Sequence, residues 1–105
     1  MTKFKKSSGN VFRDLGFANA DEMLAKAELA RQIGKLIKRM GLCQGKAAAL
    51  LKIDQPKVSA LLNGRLTALS TERLMRFLKA LGQDVRIVVH PRPRNRAAQI
   101  KVAAE

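Results

Sequence analysis

One stretch decides the fold of this chain, and from residue 43 to residue 65 it reads CQGKAAALLKIDQPKVSALLNGR. Its Ala-rich first part predicts a short helix. Asp54 is a good N-cap for a second helix, and Pro56 fits the first turn of that helix, where a missing N–H costs nothing. Asn63 and Gly64 predict where the second helix ends. The stretch therefore predicts two short helices joined by a tight connection at residues 52–54.

Three side chains predict how these two helices pack. Ala48 falls where the helices would cross most closely, so a larger side chain there would push them apart. Val58 and Leu61 fall on the face of the second helix that must bury against the first. These details narrow the pair from any small helical hairpin to one with a close and defined crossing.

A longer helix is predicted before this pair. Residues 19–40 carry apolar side chains at helical spacing. Asn19, with Glu22 three residues further on, is similar to a capping box at the start of a helix. Gly41 fits the left-handed position that ends one.

The chain after the pair predicts one more helix and then a strand. Ser70 is a good N-cap for this helix, and Gly82 fits its end. Residues 84–90 change to an alternating period, which is typical of a β-strand. The side chains expected on one face of the strand are Val85, Ile87 and Val89. Because a single strand has no partner within the chain, we expect it to pair with a second copy or with another protein.

These patterns define the expected organisation. Residues 1–10 read as a flexible basic arm, residues 11–90 as the folded domain, and residues 91–105 as a basic tail. Within the domain we expect an all-α fold of four or five helices with one C-terminal β-strand that pairs in a dimer.

Charge narrows the class of partner. The chain has 21 Lys and Arg against 8 Asp and Glu, which gives a net charge of +13 and a pI near 11.0. Such an excess attracts polyanions and releases their counterions on binding. Nucleic acid is the first candidate partner, and a membrane surface or an acidic protein is the alternative.

The sequence lacks the residues that other classes of function require. One cysteine and one histidine make a zinc site improbable, and we expect neither a metal nor another cofactor. We find no set of side chains with the pattern of a catalytic site, so an enzyme is not expected. The N-terminus has no apolar run of the secretory kind, and no stretch approaches the roughly 20 apolar residues that span a bilayer. We therefore expect a cytoplasmic protein with no membrane and no small-molecule substrate among its partners.

Residues 43–65 resemble the helix-turn-helix of lambdoid phage repressors, the XRE family of transcriptional regulators. The chain as a whole is similar, more narrowly, to HigA-type antitoxins of type II toxin–antitoxin systems. The narrower resemblance rests on the long preceding helix, on STERLMRFLKALG at 70–82 and on DVRIVV at 84–89. It covers roughly residues 10–92 and implies a lambda-repressor-like fold.

The resemblance assigns DNA-contacting roles to named side chains. The helix that Asp54 opens would be the recognition helix, which lies in the major groove. Gln55 matches the family position that hydrogen-bonds base edges, and a Gln amide can pair bidentately with adenine. The base-contacting residues that the resemblance implies are Gln55, Lys57, Ser59 and Ala60. The phosphate-contacting residues that it implies are Gln44, Asn63 and Arg65.

Two residues depart from the family pattern. Lys52 occupies the turn position that usually holds Gly, and it must adopt a left-handed or strained backbone there. Cys43 occupies the usual Thr or Ser cap position and is a poor cap. Both departures weaken the motif without removing a DNA-contacting group.

Acidic side chains cluster near the N-terminus. Four of the eight lie between residues 14 and 28, whereas the DNA-reading part has only Asp54. The toxins partnered with such antitoxins are commonly small basic ribonucleases, and a basic partner should avoid this chain except at an acidic patch. The toxin-binding residues that we expect are Phe12, Phe17, Asp21, Glu22 and Glu28. Helix capping is the alternative explanation for Asp21 and Glu22, and Phe12 and Phe17 could instead cover the core.

The expected function is sequence-specific repression by a homodimer on double-stranded operator DNA. The protein would be the antitoxin that represses its own operon and neutralises a ribonuclease-type toxin. Two alternatives remain open: a phage-type regulator without a toxin partner, and a nonspecific basic architectural protein.

Overall fold

The computed structural model describes residues 19–104 of the chain. Within that range it forms four α-helices and no β-strand. We number them α1 to α4, and their bounds are Ala20–Arg39, Gln44–Leu51, Gln55–Leu62 and Thr71–Ala80. The two short helices predicted in residues 43–65 are therefore confirmed as α2 and α3. No helix in this range is long and apolar enough to cross a bilayer.

Side-chain caps begin two of the helices. The Asp54 carboxylate accepts the Lys57 N–H at 2.9 Å, and the Ser70 hydroxyl accepts the Arg73 N–H at 3.1 Å. Both caps confirm their predictions. The capping box at Asn19 is wrong, because the Asn19 side chain makes no cap hydrogen bond and its backbone, with φ −107° and ψ 43°, is not extended.

The four helices all end in the same way. The residue after each helix, or the next one, has a positive φ, and two N–H groups donate back to carbonyls of the last turn, which is a Schellman motif. At α2, Lys52 N–H donates to Ala49 and Ile53 N–H donates to Ala48, at 3.3 and 3.1 Å. The residues with positive φ are Gly41 at 68°, Lys52 at 61°, Gly64 at 76° and Gly82 at 87°.

All four helices contribute side chains to the core, in which α1 packs against α3 and α4, and α2 packs against the same two helices. Its most deeply buried large side chains are Ile33, Val58, Leu61 and Leu74. Ala48 is buried within the core cluster, which is compatible with its predicted place between α2 and α3. This packing fixes the orientation of α3 through one face and leaves the other face in solvent.

The predicted strand at residues 84–90 does not form in the single chain. A strand needs a partner for its backbone hydrogen bonds, and the described chain supplies none. The segment is exposed on both predicted faces, since Ile87 is 74% exposed and Val88 is 70% exposed. The tail beyond it is mostly exposed as well, although Val102 is half-buried and packs against the core.

Candidate nucleic-acid interface

The polar side of α3 carries the side chains expected to read bases. Gln55 and Lys57 are exposed in its first turn, while Ser59 and Ala60 are half-buried one turn later. All four lie on the helix whose opposite face is fixed in the core. A ligand that approaches this face would meet the first turn of α3 most openly.

Gln55 lies beside α2. Its side-chain Oε1 is 4.0 Å from the place where a Cβ on residue 45 would stand, which is an ordinary van der Waals distance. Gln44, the first residue of α2, is the neighbour of that glycine. The structure therefore brings the expected base-reading amide close to the expected phosphate-binding helix start. The closeness of Gln55 to the start of α2 was not predicted from the sequence, because it depends on how α2 and α3 cross.

The start of α2 has no side-chain cap. Cys43 takes the N-cap position with an extended backbone, yet its exposed thiol forms no cap hydrogen bond. The N–H of Lys46 still points toward the sulfur and lowers the pKa of the Cys43 thiol below its ordinary value. Uncapped N–H groups and the positive end of the helix dipole suit a phosphate.

Asn63 is engaged by α3 itself. Its Nδ2 donates to the Ser59 carbonyl at 2.8 Å and lies 3.4 Å from the Ser59 hydroxyl. Ser59 and Asn63, which the sequence assigns to base and phosphate separately, thus form one polar unit at the end of α3. Arg65 is exposed, and its backbone N–H donates to the Ala60 carbonyl at 2.9 Å.

Positive charge on the α2–α3 surface is not balanced locally. The exposed basic side chains there form no ion pair with any residue of the described range, and they are Lys46, Lys52, Lys57 and Arg65. Asp54 is the one acidic residue between positions 40 and 70, and its carboxylate caps α3. This surface therefore keeps its charge available for an anion.

Two of the acidic residues of α1, in contrast, are paired with other side chains of the same helix. Glu22 lies 3.6 Å from Lys26, and Glu28 lies 2.7 Å from Arg31 and also accepts from Gln32 at 2.8 Å. The Arg31 guanidinium holds the pKa of the Glu28 carboxyl below its ordinary value. Most of the acidic charge on α1 is thus already matched by basic groups on the same helix. Two further residues expected to bind a toxin, Phe12 and Phe17, lie outside the described residues.

Comparison with known proteins places this architecture in a family. The helix-turn-helix domain family matches residues 11–90. A solved structure of an XRE-family transcriptional regulator is 50% identical, with a TM-score of 0.78. The match covers 83% of this chain and 99% of that one. No curated protein matches the chain. The chain therefore belongs to the helix-turn-helix domain family, among the DNA-binding transcriptional regulators of XRE type.

Proposed function

We propose that this protein is a sequence-specific repressor that reads an operator with the exposed face of α3. One observation carries the proposal: α3 is fixed by Val58 and Leu61 on one side and presents Gln55 on the other, within an unbalanced basic surface. A fixed helix with a free amide at its start suits the major groove.

The residues divide into two roles under this proposal. Gln55 reads a base edge, and Lys57, Ser59 and Ala60 line the same groove. Gln44 and Arg65 hold the phosphates on either side, together with Asn63, whose Nδ2 donates one N–H to the Ser59 carbonyl and has a second N–H to offer a phosphate oxygen. Contacts of the second kind fix register without reading sequence.

The test begins by selecting a preferred site from random DNA. The wild-type chain should prefer its selected site over random DNA by roughly 10³-fold or more, and a lack of preference would favour the nonspecific architectural reading. Gln55→Ala should cost about 1–3 kcal/mol of binding and relax the preference at one base pair. Arg65→Ala should lower the salt slope of binding by about 1, because it removes one phosphate contact. Lys79→Ala, an exposed charge change on α4, is the matched control and should alter neither the preferred base nor the salt slope strongly.

The antitoxin role is the finer part of the proposal. The support for it is the similarity to HigA-type antitoxins and the acidic residues Asp21, Glu22 and Glu28 on α1. We propose that α1 and the segment before it bind a small basic toxin encoded by the adjacent reading frame. Co-purification of the two products tests whether the partner exists, and a regulator without a toxin would copurify with nothing from that frame.

Charge reversal tests the surface. Replacing all three acids by Lys should abolish toxin binding while leaving operator affinity equal or higher, because added positive charge favours DNA. Helix content by circular dichroism is the control for α1, since two of the three acids form ion pairs on that helix. Toxin binding that survives in a folded variant would contradict the proposed surface.

A further inference from the structure

An open apolar groove runs between α1 and the end of α3. Its volume is about 690 Å³, which lies within the roughly 300–1,000 Å³ of typical ligand sites. Met23, Ala27 and Gly34 form the α1 wall, while Leu62 and Leu66 form the opposite wall. Leu62 is 39% exposed in this groove, although it belongs to the short helix that carries the proposed DNA contacts. An exposed apolar groove of this kind is typical of a surface that binds another segment or molecule.

The described part of the chain begins at this groove. Asn19, the first described residue, lines one end of it. The eight residues directly before Asn19 read VFRDLGFA, and Val11, Phe12, Leu15 and Phe17 give this segment four large apolar side chains. The family match also begins at residue 11, so the segment is part of the domain rather than an addition to it. At about 3.3 Å per residue, eight residues reach at most about 26 Å, enough to follow the groove.

We propose that residues 11–18 bind in this groove of the same chain, with Phe12 and Phe17 as the side chains that fill it against Met23 and Leu62. The tether gives this segment a high effective concentration that no separate molecule has. The groove wall also includes Leu61 and Gly64, which belong to the end of α3 and the turn that follows it. An occupied groove therefore holds the end of the recognition helix and the turn that leads to Arg65.

This arrangement would couple partner binding at residues 11–18 to operator binding by α3. A partner that binds residues 11–18 has to take them out of the groove, because the same aromatic side chains cannot occupy both places. Removing them would loosen the end of α3 and change operator affinity. The coupling to DNA rests on the proposed operator binding, whereas the docking itself does not.

Nuclear magnetic resonance on the full-length chain tests the docking directly. We expect nuclear Overhauser contacts from the rings of Phe12 and Phe17 to the Met23 ε-methyl and Leu62 δ-methyl groups. The double variant Phe12→Ala, Phe17→Ala should lose these contacts and shift the Leu62 methyl signals. Phe4→Ala is the matched control, since it removes a ring outside the segment and should change neither. Absence of these contacts in the wild-type chain, or contacts seen only between differently labelled copies, would overturn the proposal.

Limited proteolysis gives a second readout that does not depend on aromatic signals. Trypsin should cut after Arg13, inside the segment, at least about tenfold more slowly than after Lys5 or Lys6, because docked backbone must open before cleavage. Ala27→Trp fills the groove from the α1 side and should bring cleavage after Arg13 up to the rate at the two lysines. Equal rates at all three sites in the wild type would overturn the docking.

Operator binding by the same variants tests the coupling. The double Phe variant and Ala27→Trp should differ from each other, because the first empties the groove and the second refills it. We expect operator affinity to fall several-fold in the first and to stay near wild type in the second. Equal affinity in both would overturn the coupling to α3, whereas failure of the wild type to select any DNA site would contradict the proposed function and leave the docking result standing.

Discussion

Lys52 has the backbone conformation that glycine supplies at the other three helix ends. Its φ of 61° lies close to the 68°, 76° and 87° of Gly41, Gly64 and Gly82. A left-handed backbone costs a residue with a Cβ about 1–2 kcal/mol, whereas glycine adopts it freely. Because the Lys52 side chain is exposed and forms no ion pair in the described range, no packing or pairing offsets that cost.

Replacing Lys52 by Gly should therefore stabilise the protein. The strain that is relieved exceeds the entropy that glycine loses on folding, so we expect the free energy of unfolding to rise by about 0.5–1 kcal/mol. Urea unfolding followed by circular dichroism measures it. Lys52→Ala removes the same charge but keeps the Cβ and should give no gain. Equal gains in both variants would show that charge repulsion, rather than backbone strain, is the cost at this position.

At the scale of the helices, Asp54 acts on α3 through its cap and through its charge. The cap stabilises the helix that presents Gln55, while the negative charge opposes DNA. Asn caps about as well as Asp, so Asp54→Asn should keep the stability within a few tenths of a kcal/mol and tighten DNA binding. Asp54→Ala should lose about 1 kcal/mol of stability.

The control for this comparison is the cap of α4. Ser70→Ala removes a cap of the same kind, and it should cost a similar ~1 kcal/mol with no gain in DNA affinity. Thermal unfolding and binding titrations at one salt concentration separate the two effects. If Asp54→Asn bound DNA no more tightly than the wild type, the α3 start would not lie near phosphates.

On α1, Glu28 predicts a pH dependence. Its pKa is lowered chiefly by the hydrogen bond from Arg31, so the charged form of the carboxyl is favoured more in the folded state than in the unfolded state. Its contribution is therefore present above the unfolded pKa and is lost as the pH falls through the folded pKa. Glu28→Gln should lower stability at pH 7 by a few tenths of a kcal/mol, since the pair is partly exposed. That difference should vanish once the pH has fallen through the folded pKa, where both forms are neutral. A difference that persisted there would point to packing instead.

The helices could be predicted from the sequence because their signals are local. Asp54, Ser70 and the positive-φ glycines act within one turn, and each was found where its residue type indicates. The Asn19 capping box was wrong because the motif needs an extended backbone at the N-cap, and the residue types alone do not determine that conformation. The hydrogen bond from Asn63 to the Ser59 carbonyl was not predicted, because the residue types do not show whether an exposed Asn side chain turns toward its own helix or toward a ligand.

Contacts between distant parts of the chain were also beyond reach. Val102 packs against the core from a tail that shows no apolar period, and the closeness of Gln55 to Gly45 depends on the crossing of two helices. The base-reading and phosphate-binding roles themselves stay predictions, since their test is a complex with DNA.

Among residues 19–104, the three most exposed large apolar side chains lie in one short segment. Ile87 and Val89 are 74% and 91% exposed, and Val88 between them is 70% exposed. A row of exposed β-branched side chains is suited to antiparallel pairing with an identical segment. We propose that two chains pair there, which would place two α3 helices about 34–36 Å apart, one turn of DNA.

Ile87→Lys tests this pairing. In an antiparallel pair about a two-fold axis, a lysine on each strand brings like charges close together and removes apolar burial, so we expect the dimer to dissociate. Sedimentation should show a monomer, and operator affinity should fall by far more than one added positive charge could raise it, because each chain would then bind a single half-site. Ile100→Lys makes the same change at an exposed position of the tail, 61% accessible, and should leave both dimer and operator affinity intact. A dimer that survives Ile87→Lys would place the contact between copies on another surface. A wild-type chain that sediments as a monomer, at concentrations well above those at which it binds the operator, would contradict the dimer and with it the expectation of a two-fold operator.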